Sequence, residues 1–411
     1  ITYYKPHYLT VALIIFFFVQ AKGQNWPGWR GPNGDGTSAE TNLPVEWDST
    51  NNIIWKSEIP GKGHSSPIVW EDRLFTLTAF QETQEKVLLC FDLKNGELLW
   101  QETVIKGSWE PKHPNNSHAS GTPVTDGKLV YLSFLDVEDV VVAAFDFSGN
   151  QVWIQRPGKF ESDNGYSCSP VLHENKVIIN GNSKDDDCFL AALDKTNGQI
   201  VWKVIHPNKV KSYSTPIIRE MAGKTQLIFL GNKEIASYNP DTGEKYWFVT
   251  VDTRDFLSSP VYNEETGYLL ASSAYPRQHL MAVVPDGEGD VTESKVVWQT
   301  AEGCYVPSPV TTGNYIFSTR PNGRVHCIDV HTGKKIWEED LGKQYPSPVL
   351  TNGLVYMPND DGVITVIKPG PTLEVVSKNA INEQMNASPA ISNGKIYLRG
   401  EKHLFCIGNE K

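Results

Sequence analysis

The chain has 411 residues and a formal net charge of −11 at neutral pH, from 37 basic and 48 acidic side chains. It contains no run of Lys and Arg, which argues against nucleic acid as a partner because phosphate contacts need clustered cations. Tryptophan (12), glycine (33) and proline (26) are abundant, a composition typical of an all-β protein with many short strands and turns.

Residues 1–23 have the pattern of an export signal. Lys5 supplies the positive charge, and residues 8–19 (YLTVALIIFFFV) form the apolar core. Cleavage after Ala21 or after Gly23 fits the preference for small residues at such sites. An uncleaved anchor is the alternative, although the apolar run is short for a membrane span. We expect a periplasmic or secreted protein with no stable transmembrane span after cleavage.

Residues 24–52 come before the main body of predicted strands and are expected to form an N-terminal arm that packs on it. Within this arm, residues 26–36 (WPGWRGPNGDG) contain two Trp, one Arg and four Gly. We predict a lid that docks across one face of the following domain, with Trp26 and Trp29 as its anchors. An arm that binds a partner is the alternative interpretation.

A segment with a fixed spacing between Gly and Trp recurs through residues 53–411. Clear copies are 90–100 (CFDLKNGELLW), 192–202 (ALDKTNGQIVW), 237–247 (SYNPDTGEKYW) and 327–337 (CIDVHTGKKIW). Upstream of the copies, a Ser-Pro or Thr-Pro pair opens a strand at Pro67, Pro123, Pro170, Pro216, Pro260, Pro309, Pro348 and Pro389. These eight prolines are on average 46 residues apart. This period is typical of the four-stranded blades of a β-propeller.

Each part of the repeat has a physical reason. Proline can open a strand at a position where no ladder N–H is needed, and glycine supplies the positive φ of the tight Asp-x-x-Thr/Asn-Gly turn. A Trp at a fixed position can wedge between neighbouring blades and donate its indole N–H. The tryptophans predicted to have this structural role are Trp55, Trp100, Trp153, Trp202, Trp247, Trp298 and Trp337.

The last unit is incomplete, since the chain stops after residues 403–407 (HLFCI) without a Gly turn or a Trp strand. Residues 52–56 (NIIWK) contain an apolar run that ends in Trp55 and can supply the missing strand. We therefore predict an all-β, eight-bladed β-propeller over residues 53–411, with its ring closed by an N-terminal strand. Such closure removes two open sheet edges.

The Ala-x-Asp-x-x-Thr-Gly-x-x-x-Trp pattern resembles the repeat of pyrroloquinoline-quinone (PQQ) dehydrogenases and of the outer-membrane assembly propeller lipoprotein. The segments 26–36, 112–127 (KHPNNSHASGTPVTDG), 304–309 (CYVPSP) and 401–408 (EKHLFCIG) look like the exported quinoprotein-like propellers of planctomycetes and related environmental bacteria. The resemblance covers residues 24–411 and implies a quinoprotein-like propeller fold. It implies no particular activity, because one fold hosts many functions.

The resemblance also indicates what a quinone enzyme would need. The large quinoprotein dehydrogenases have a vicinal Cys pair beside the cofactor, a calcium-binding Glu, Asn and Asp set, and an Asp base on long insertions. Here no two cysteines are closer than 20 residues, and a blade of 46 residues leaves little room for insertions. We therefore assign no cofactor, and PQQ with calcium remains the alternative. Cys90, Cys327 and Cys406 are expected to be buried thiols, whereas Cys168 and Cys188 could pair.

Polar residues come shortly before the Ser/Thr-Pro pairs, where the inner strand of each blade starts near the central channel. The functional hypothesis is a polar ligand pocket on the axis of the ring, and the alternative is a ring of solvated loops that plugs the channel. The candidate ligand-binding residues are Lys62, His64, His118, Asn164, Tyr166, Lys211, Tyr213, Arg254, Asp255, Tyr305, Tyr345 and Asn386.

We predict no metal site and assign no catalytic residue. His113 and His118 lie in one loop, and a metal site needs three or four convergent ligands, so a solvated loop is favoured. Residues 185–187 (DDD) lack the spacing of a calcium loop and are interpreted as a charged hairpin tip. The motifs G-x-S-x-G and H-E-x-x-H and the phosphate-binding P-loop do not occur in the sequence,.

Two classes of function remain open at this stage. The sequence favours a non-catalytic binding or scaffolding propeller of the cell envelope or the secreted space, whose ligand is unknown. Its partner would be an envelope protein, a peptide or a polysaccharide. The alternative is a PQQ-dependent oxidoreductase of the quinoprotein type, with the cofactor in the central channel. We expect a monomer, because a closed ring does not require a partner to cover its edges.

Overall fold

The computed structural model describes residues 24–48, 50–273, 275–320 and 322–409, and the predicted signal segment 1–23 lies outside them. In these ranges the chain is almost entirely β-structure, and eight antiparallel sheets follow one another as the blades of a propeller. The predicted fold class is thus confirmed. The described part contains one short helix, Thr292–Lys295, and none of its helices is long and apolar enough to cross a membrane.

Each blade has an inner, a second, a third and an outer strand, in order from the central channel. Blade 1 consists of Ile68–Trp70, Arg73–Phe80, Glu85–Asp92 and Leu98–Lys106. Blade 2 consists of Val124–Thr125, Leu129–Asp136, Asp139–Asp146 and Gln151–Lys159. Blade 3 consists of Val171–His173, Lys176–Gly181, Phe189–Asp194 and Ile200–Ile205. Blade 4 consists of Ile217–Met221, Lys224–Gly231, Glu234–Tyr238 and Lys245–Thr250.

The second half of the ring repeats this order. Blade 5 consists of Val261–Asn263, Tyr268–Ser273, His279–Val283 and Val296–Thr300. Blade 6 consists of Val310–Thr312, Tyr315–Thr319, Arg324–Asp329 and Lys335–Asp340. Blade 7 consists of Val349–Thr351, Leu354–Pro358, Val363–Lys368 and Glu374–Ala380. Blade 8 consists of Ala390–Ser392, Lys395–Arg399, His403–Gly408 and, as its outer strand, Ile53–Glu58.

The ring closes as the sequence predicted. The N-terminal strand Ile53–Glu58 pairs antiparallel with His403–Gly408, and Trp55 lies opposite Cys406 in this register. The last blade is therefore completed by the start of the chain, so its third strand does not present an open edge.

Three short pairings add to the blades. Thr37–Ser38 pairs in parallel with the inner strand of blade 7, and Gly289–Asp290 pairs in parallel with the outer strand of blade 4. Lys211–Ser212 and Asp255–Phe256 form a two-stranded parallel ladder between the connections on either side of blade 4. The periodic pattern did not predict these pairings, because they involve segments outside the repeat.

Most of the repeat tryptophans contact the Gly turn of the next blade. The indole N–H of Trp298 donates to Val330 O at 2.9 Å, and a Cβ on Gly333 would lie only 2.5 Å from the Trp298 ring. The same donation joins Trp55 to Leu93, Trp100 to Phe147, Trp153 to Lys195, Trp202 to Pro240 and Trp337 to Gly370. Trp247 differs, since its indole donates to Gln226 Oε1 in its own blade.

All six cysteines are buried free thiols, so Cys168 and Cys188 are not bridged. Burial raises the pKa of the Cys90, Cys327 and Cys406 thiols to about 12. A thiol with such a pKa holds its proton at neutral pH and behaves as a small apolar side chain. Burial also raises the pKa of the Cys168, Cys188 and Cys304 thiols, so none of the six offers a reactive thiolate at neutral pH.

Candidate functional site

The N-terminal arm crosses the face of the ring that carries the turns between inner and second strands, called here the turn face. Trp26 is buried and exchanges two backbone hydrogen bonds of 2.9 Å with Val69 in blade 1. Farther along, Pro27 O accepts from Thr125 N of blade 2 at 2.8 Å. Gly36 O accepts from the N–H of Leu350 in blade 7 at 2.8 Å. The arm thus spans the ring and closes one end of the central channel.

A buried arginine holds the arm against the ring. Arg30 Nη2 donates to Asp35 O and to Pro309 O, both at 2.7 Å. Burial lowers the pKa of Arg30 to about 10, and the nearby Asp35 carboxylate opposes this change. The side chain remains charged at neutral pH and links the arm to blade 6.

A ring of hydroxyl groups surrounds the channel above the arm. It is formed by the residues that precede the eight blade-opening prolines: Ser66, Thr122, Ser169, Thr215, Ser259, Ser308, Ser347 and Ser388. The backbone N–H of one member donates to the hydroxyl oxygen of the next at seven of the eight positions, at 2.8–3.3 Å. These bonds join the inner ends of neighbouring blades.

At the eighth position of this hydroxyl ring, the hydrogen-bond donor comes from the arm. Ser259 Oγ accepts the indole N–H of Trp29 at 3.1 Å, where the repeat would place the N–H of Thr215. Trp29 therefore lies in the channel and forms its floor. A hydroxyl that accepts one hydrogen bond keeps its own hydrogen, so the four members that line the channel, Ser169, Thr215, Ser259 and Ser347, can still donate to a molecule there.

Above Trp29 the channel opens into a cavity of about 260 Å³, called here the channel cavity. Its lining combines hydroxyls, side-chain amides and aromatic rings, with His64 and His113 as its imidazoles. None of the lining residues is a carboxylate or an ammonium group. Burial, with smaller effects of Arg399 and Lys112, lowers the pKa of His64 to about 4. His64 is therefore neutral at neutral pH.

A second cavity of about 640 Å³, called here the side cavity, adjoins the channel cavity on the mouth face, opposite the arm. It is lined by the mouth loops of blades 1, 2, 7 and 8, including Lys62, Lys112, His118, Lys343 and Asp360. Five residues line both cavities: His64, Asn115, Asn116, Tyr345 and Asn386. The two cavities therefore form one continuous recess.

Two hydrogen bonds mark the boundary between these cavities. Asn115 Nδ2 donates to Tyr345 Oη at 2.7 Å, which joins the loop before blade 2 to the loop before blade 7. Asn386 Nδ2 lies 3.2 Å from His64 Nε2. Small rotations of these side chains would change the width of the passage.

The structure brings eight of the twelve predicted ligand-binding residues to this recess. His64, Asn164, Tyr213, Tyr305, Tyr345 and Asn386 line the channel cavity. Lys62 and His118 line the side cavity. Position just before a Ser/Thr-Pro pair therefore places most of these side chains near the axis.

The other four predicted residues do not line the recess. Tyr166 is buried in the core, with its ring edge-on to Phe160 at 5.1 Å between centroids. Lys211 and Asp255 lie on the two-stranded ladder beside blade 4, with Lys211 Nζ 3.4 Å from Asp255 Oδ1. Arg254 lies next to this ladder, and its backbone N–H donates to Tyr275 O. The structure therefore places these four residues outside the two cavities.

His118 is held in place by a buried ion pair that the sequence did not reveal. The imidazole stacks on Trp109 at 4.2 Å between ring centroids, and His118 Nδ1 lies 3.2 Å from Glu110 Oε1. Glu110 Oε2 lies 2.5 Å from Lys86 Nζ, and both of these side chains are almost completely buried. Burial alone would raise the pKa of Glu110, but His118 and Lys86 together lower it. Glu110 is therefore a carboxylate at neutral pH.

Sequence reasoning missed several residues of the recess. The sequence predicts Trp29 only as an anchor of the arm, and it predicts the loop of His113 and His118, which contains Asn115 and Asn116, to be solvated. The hydroxyl ring had a clear signal, since the repeat itself contains Ser or Thr before each proline.

A group of possible metal ligands lies away from the recess, on the turns of blades 3 and 4. It consists of His173, Glu174 and Asp241, whose ligand atoms lie within 4.8 Å of one another. Lys176 Nζ already lies 2.7 Å from Asp241 Oδ1. This ammonium occupies the place that a cation would take, so we assign no metal to the group.

The fold and the channel define the chain as an eight-bladed β-propeller built from PQQ-type repeats. The model of a family described as outer membrane protein assembly factor BamB matches residues 37–108, 84–339 and 288–370. The chain therefore belongs to this family. No curated protein sequence matches it.

Solved structures share the fold at low sequence identity. BamB from Moraxella catarrhalis is 15% identical, with 87% of this chain and 97% of that chain covered and a TM-score of 0.63. Quinohemoprotein alcohol dehydrogenase from Comamonas testosteroni is 11% identical, with 94% and 81% covered and a TM-score of 0.64. The computationally designed Ika8 protein is 9% identical, with 87% and 100% covered and a TM-score of 0.58. At these identities the comparisons establish the fold alone.

Proposed function

We propose that the protein is an exported, non-catalytic binding propeller of the cell envelope, which takes its ligand into the recess at the channel mouth. The observation that carries this proposal is the chemistry of the channel cavity. Its lining contains no carboxylate or ammonium group and combines hydroxyls, amides and aromatic rings with the apolar Leu257 and Val306 above a Trp29 floor. Such a surface can orient a polar molecule through many hydrogen bonds.

The quinone alternative finds little support in these residues. Calcium takes six to eight oxygen ligands and usually includes carboxylates, whereas the channel cavity has no Asp or Glu in its lining. Trp29 occupies the axis, and no cysteine is adjacent to another. The residues present do not fit a calcium-held quinone, and we derive no reaction from it.

The family supports a role at the cell envelope. Its description names an outer membrane protein assembly factor, and residues 1–23 have the pattern of an export signal. A scaffolding role with an envelope protein would use the same fold. The recess adds a site for a smaller group, on a peptide or on a polysaccharide.

The first experiment compares the two classes of function directly. Residues 24–411 are titrated with PQQ and millimolar calcium by calorimetry, with absorbance recorded alongside. We expect no stoichiometric binding and no oxidation of alcohols or sugars with an artificial electron acceptor. Tight one-to-one binding of the quinone would overturn the proposal.

A second experiment tests the recess itself. Trp29 fluorescence, taken as the difference between the wild type and Trp29→Phe, should change when envelope polysaccharide or peptide fractions fill the channel cavity. The response should be lost in Tyr305→Ala and Tyr345→Ala, which remove aromatic walls. It should persist in Tyr246→Ala, a matched tyrosine on the outer strand of blade 4. An equal response in all three variants would contradict a site at the mouth.

A further inference from the structure

The side cavity is positively charged in an otherwise acidic protein. Three lysines, Lys62, Lys112 and Lys343, line it, against one carboxylate, Asp360. Many other lysines of the described chain form salt bridges, but no carboxylate of the described residues lies within 4.0 Å of these three ammonium groups. Asp360 is itself engaged, since its Oδ1 accepts the backbone N–H of Tyr345 at 2.6 Å.

A buried guanidinium adds to the positive potential. Arg399 is 1% exposed, and its Nη1 donates to Ser65 O, to Thr76 Oγ1 and to Leu77 O at 2.6–3.1 Å. Its partners are neutral oxygens, so its charge is not cancelled locally. The charge acts on the recess, because it contributes to the lowered pKa of His64 on the cavity wall. A fixed cation in a low-dielectric wall attracts anions over several ångströms.

One wall of the side cavity is held in place by a buried network of contacts. His118 is fixed between Trp109 and Glu110, and Glu110 is fixed by Lys86. This arrangement holds an imidazole at the cavity while its supporting charges stay buried. A preorganised wall lowers the entropy cost of binding.

The neutral channel cavity is continuous with this charged cavity. A ligand that fills both must therefore carry an anionic group beside an uncharged part that is rich in hydroxyls. Tyr305 and Tyr345 can stack on the apolar face of a sugar ring. Asn115, Asn116 and the four ring hydroxyls that line the channel cavity can hydrogen-bond to its hydroxyls,. A peptide bound as an added strand needs an open strand edge. Outside blade 7, the inner strands are the channel-side edges of their sheets, but each is only two to five residues long, which leaves little edge for such pairing.

We propose that the recess binds an acidic oligosaccharide, with a sugar carboxylate in the side cavity beside Lys62 and Lys112 and a neighbouring ring in the channel cavity. This inference rests on the proposed binding function and names its ligand class. The protein has a net charge of −11, so an anionic ligand is repelled by the protein as a whole and attracted locally by the lysines of the side cavity.

The test uses trigalacturonate as the probe, titrated by calorimetry into residues 24–411. Fully methyl-esterified trigalacturonate has the same rings without the charges and serves as the matched ligand. Poly-glutamate represents an acidic peptide, and inorganic phosphate represents a free anion. The variants are Lys62→Gln with Lys112→Gln, Lys343→Gln alone, and Lys334→Gln as a control for charge on the turn face.

We expect trigalacturonate to bind at least about ten-fold more tightly than its ester. The double variant should lose about ten-fold in affinity, Lys343→Gln should lose less, and Lys334→Gln should not change it. Binding should also weaken as the salt concentration rises. Lys343 is exposed, so its variant keeps the test valid if the double variant does not fold.

Three results would overturn the inference. Equal affinities for trigalacturonate and its ester would show that the side cavity does not distinguish a charged ligand from an uncharged one. Binding of poly-glutamate or phosphate without trigalacturonate would assign the site to another ligand class. No binding of any probe would reject the acidic sugar, while the Trp29 fluorescence response to envelope fractions decides separately whether the recess binds at all.

Discussion

The contact between a tryptophan and the glycine of the next blade can be tested at one position. Gly333 has a φ of +68°, and a Cβ there would lie 2.5 Å from the Trp298 ring, with all three nearest atoms on the indole. Gly353 has a nearly identical φ of +70°, but a Cβ there would meet no atom within 4 Å. Gly333→Ala and Gly353→Ala therefore differ mainly in the presence of the indole.

The magnitudes follow from two terms. A left-handed conformation costs an L residue about 1–2 kcal/mol, and this cost applies to both variants. Overpacking against the indole adds about 1–3 kcal/mol, and this cost applies to Gly333→Ala alone. We expect Gly333→Ala to lower the free energy of unfolding by about 2–5 kcal/mol and Gly353→Ala by about 1–2 kcal/mol.

The assay is urea unfolding followed by far-ultraviolet circular dichroism, which does not depend on the tryptophan signal. In a Trp298→Ala background, Gly333→Ala should cost only the backbone term, so the double-mutant cycle should give a coupling of about 1–3 kcal/mol. Equal costs for the two glycine variants, or a coupling of zero, would refute the idea that the glycine is needed for the close approach of the indole.

Two further predictions concern buried titratable groups. Burial lowers the pKa of His206 to about 3, so between pH 6.5 and 3 the unfolded state takes up a proton that the native state does not. Through this group the free energy of unfolding should fall by about 2 kcal/mol from pH 7 to pH 5. In His206→Gln, urea unfolding at the two pH values should lack this part of the decrease, and the same pH dependence in variant and wild type would contradict the prediction. Lys86→Met leaves the buried Glu110 carboxylate without its ammonium and should cost about 3–5 kcal/mol, whereas adding Glu110→Gln should restore part of the loss. Equal melting temperatures of the single and double variants would contradict the ion pair.

The blade architecture could be predicted because its determinants are local and repeated. Asp-x-x-Thr-Gly fixes a turn within five residues, and Gly333 shows why glycine is required there, since it combines a positive φ with contact to Trp298. Closure was predictable for the same reason, because residues 52–56 supply the Trp strand that residues 403–407 lack. The short ladder between Lys211–Ser212 and Asp255–Phe256 was not predictable, because it joins two loops with no common period.

The site was predictable only in part, because position before a proline gives the height of a residue along the axis but not the direction of its side chain. Gly165 has a φ of +83°, and the chain after it places Tyr166 in the core instead of the cavity. Lys211 and Asp255 reach the mouth face but are held beside blade 4 by their ladder. The position of Trp29 in the channel could not be predicted for a different reason, since its contact with Ser259 joins residues 230 positions apart.

The recess shows how an eight-fold repeat can acquire a site that distinguishes one orientation of a ligand from another. The hydroxyl ring alone offers the same group at every blade and cannot distinguish one orientation of a ligand from another. The arm breaks this symmetry at Ser259, where Trp29 replaces a backbone donor. The loop before blade 2 breaks it again, because it brings Lys112 and His118 to one side of the mouth. On the proposed function, specificity comes from segments outside the repeat, and variants of the arm and of this loop should alter ligand choice more than variants of the blades.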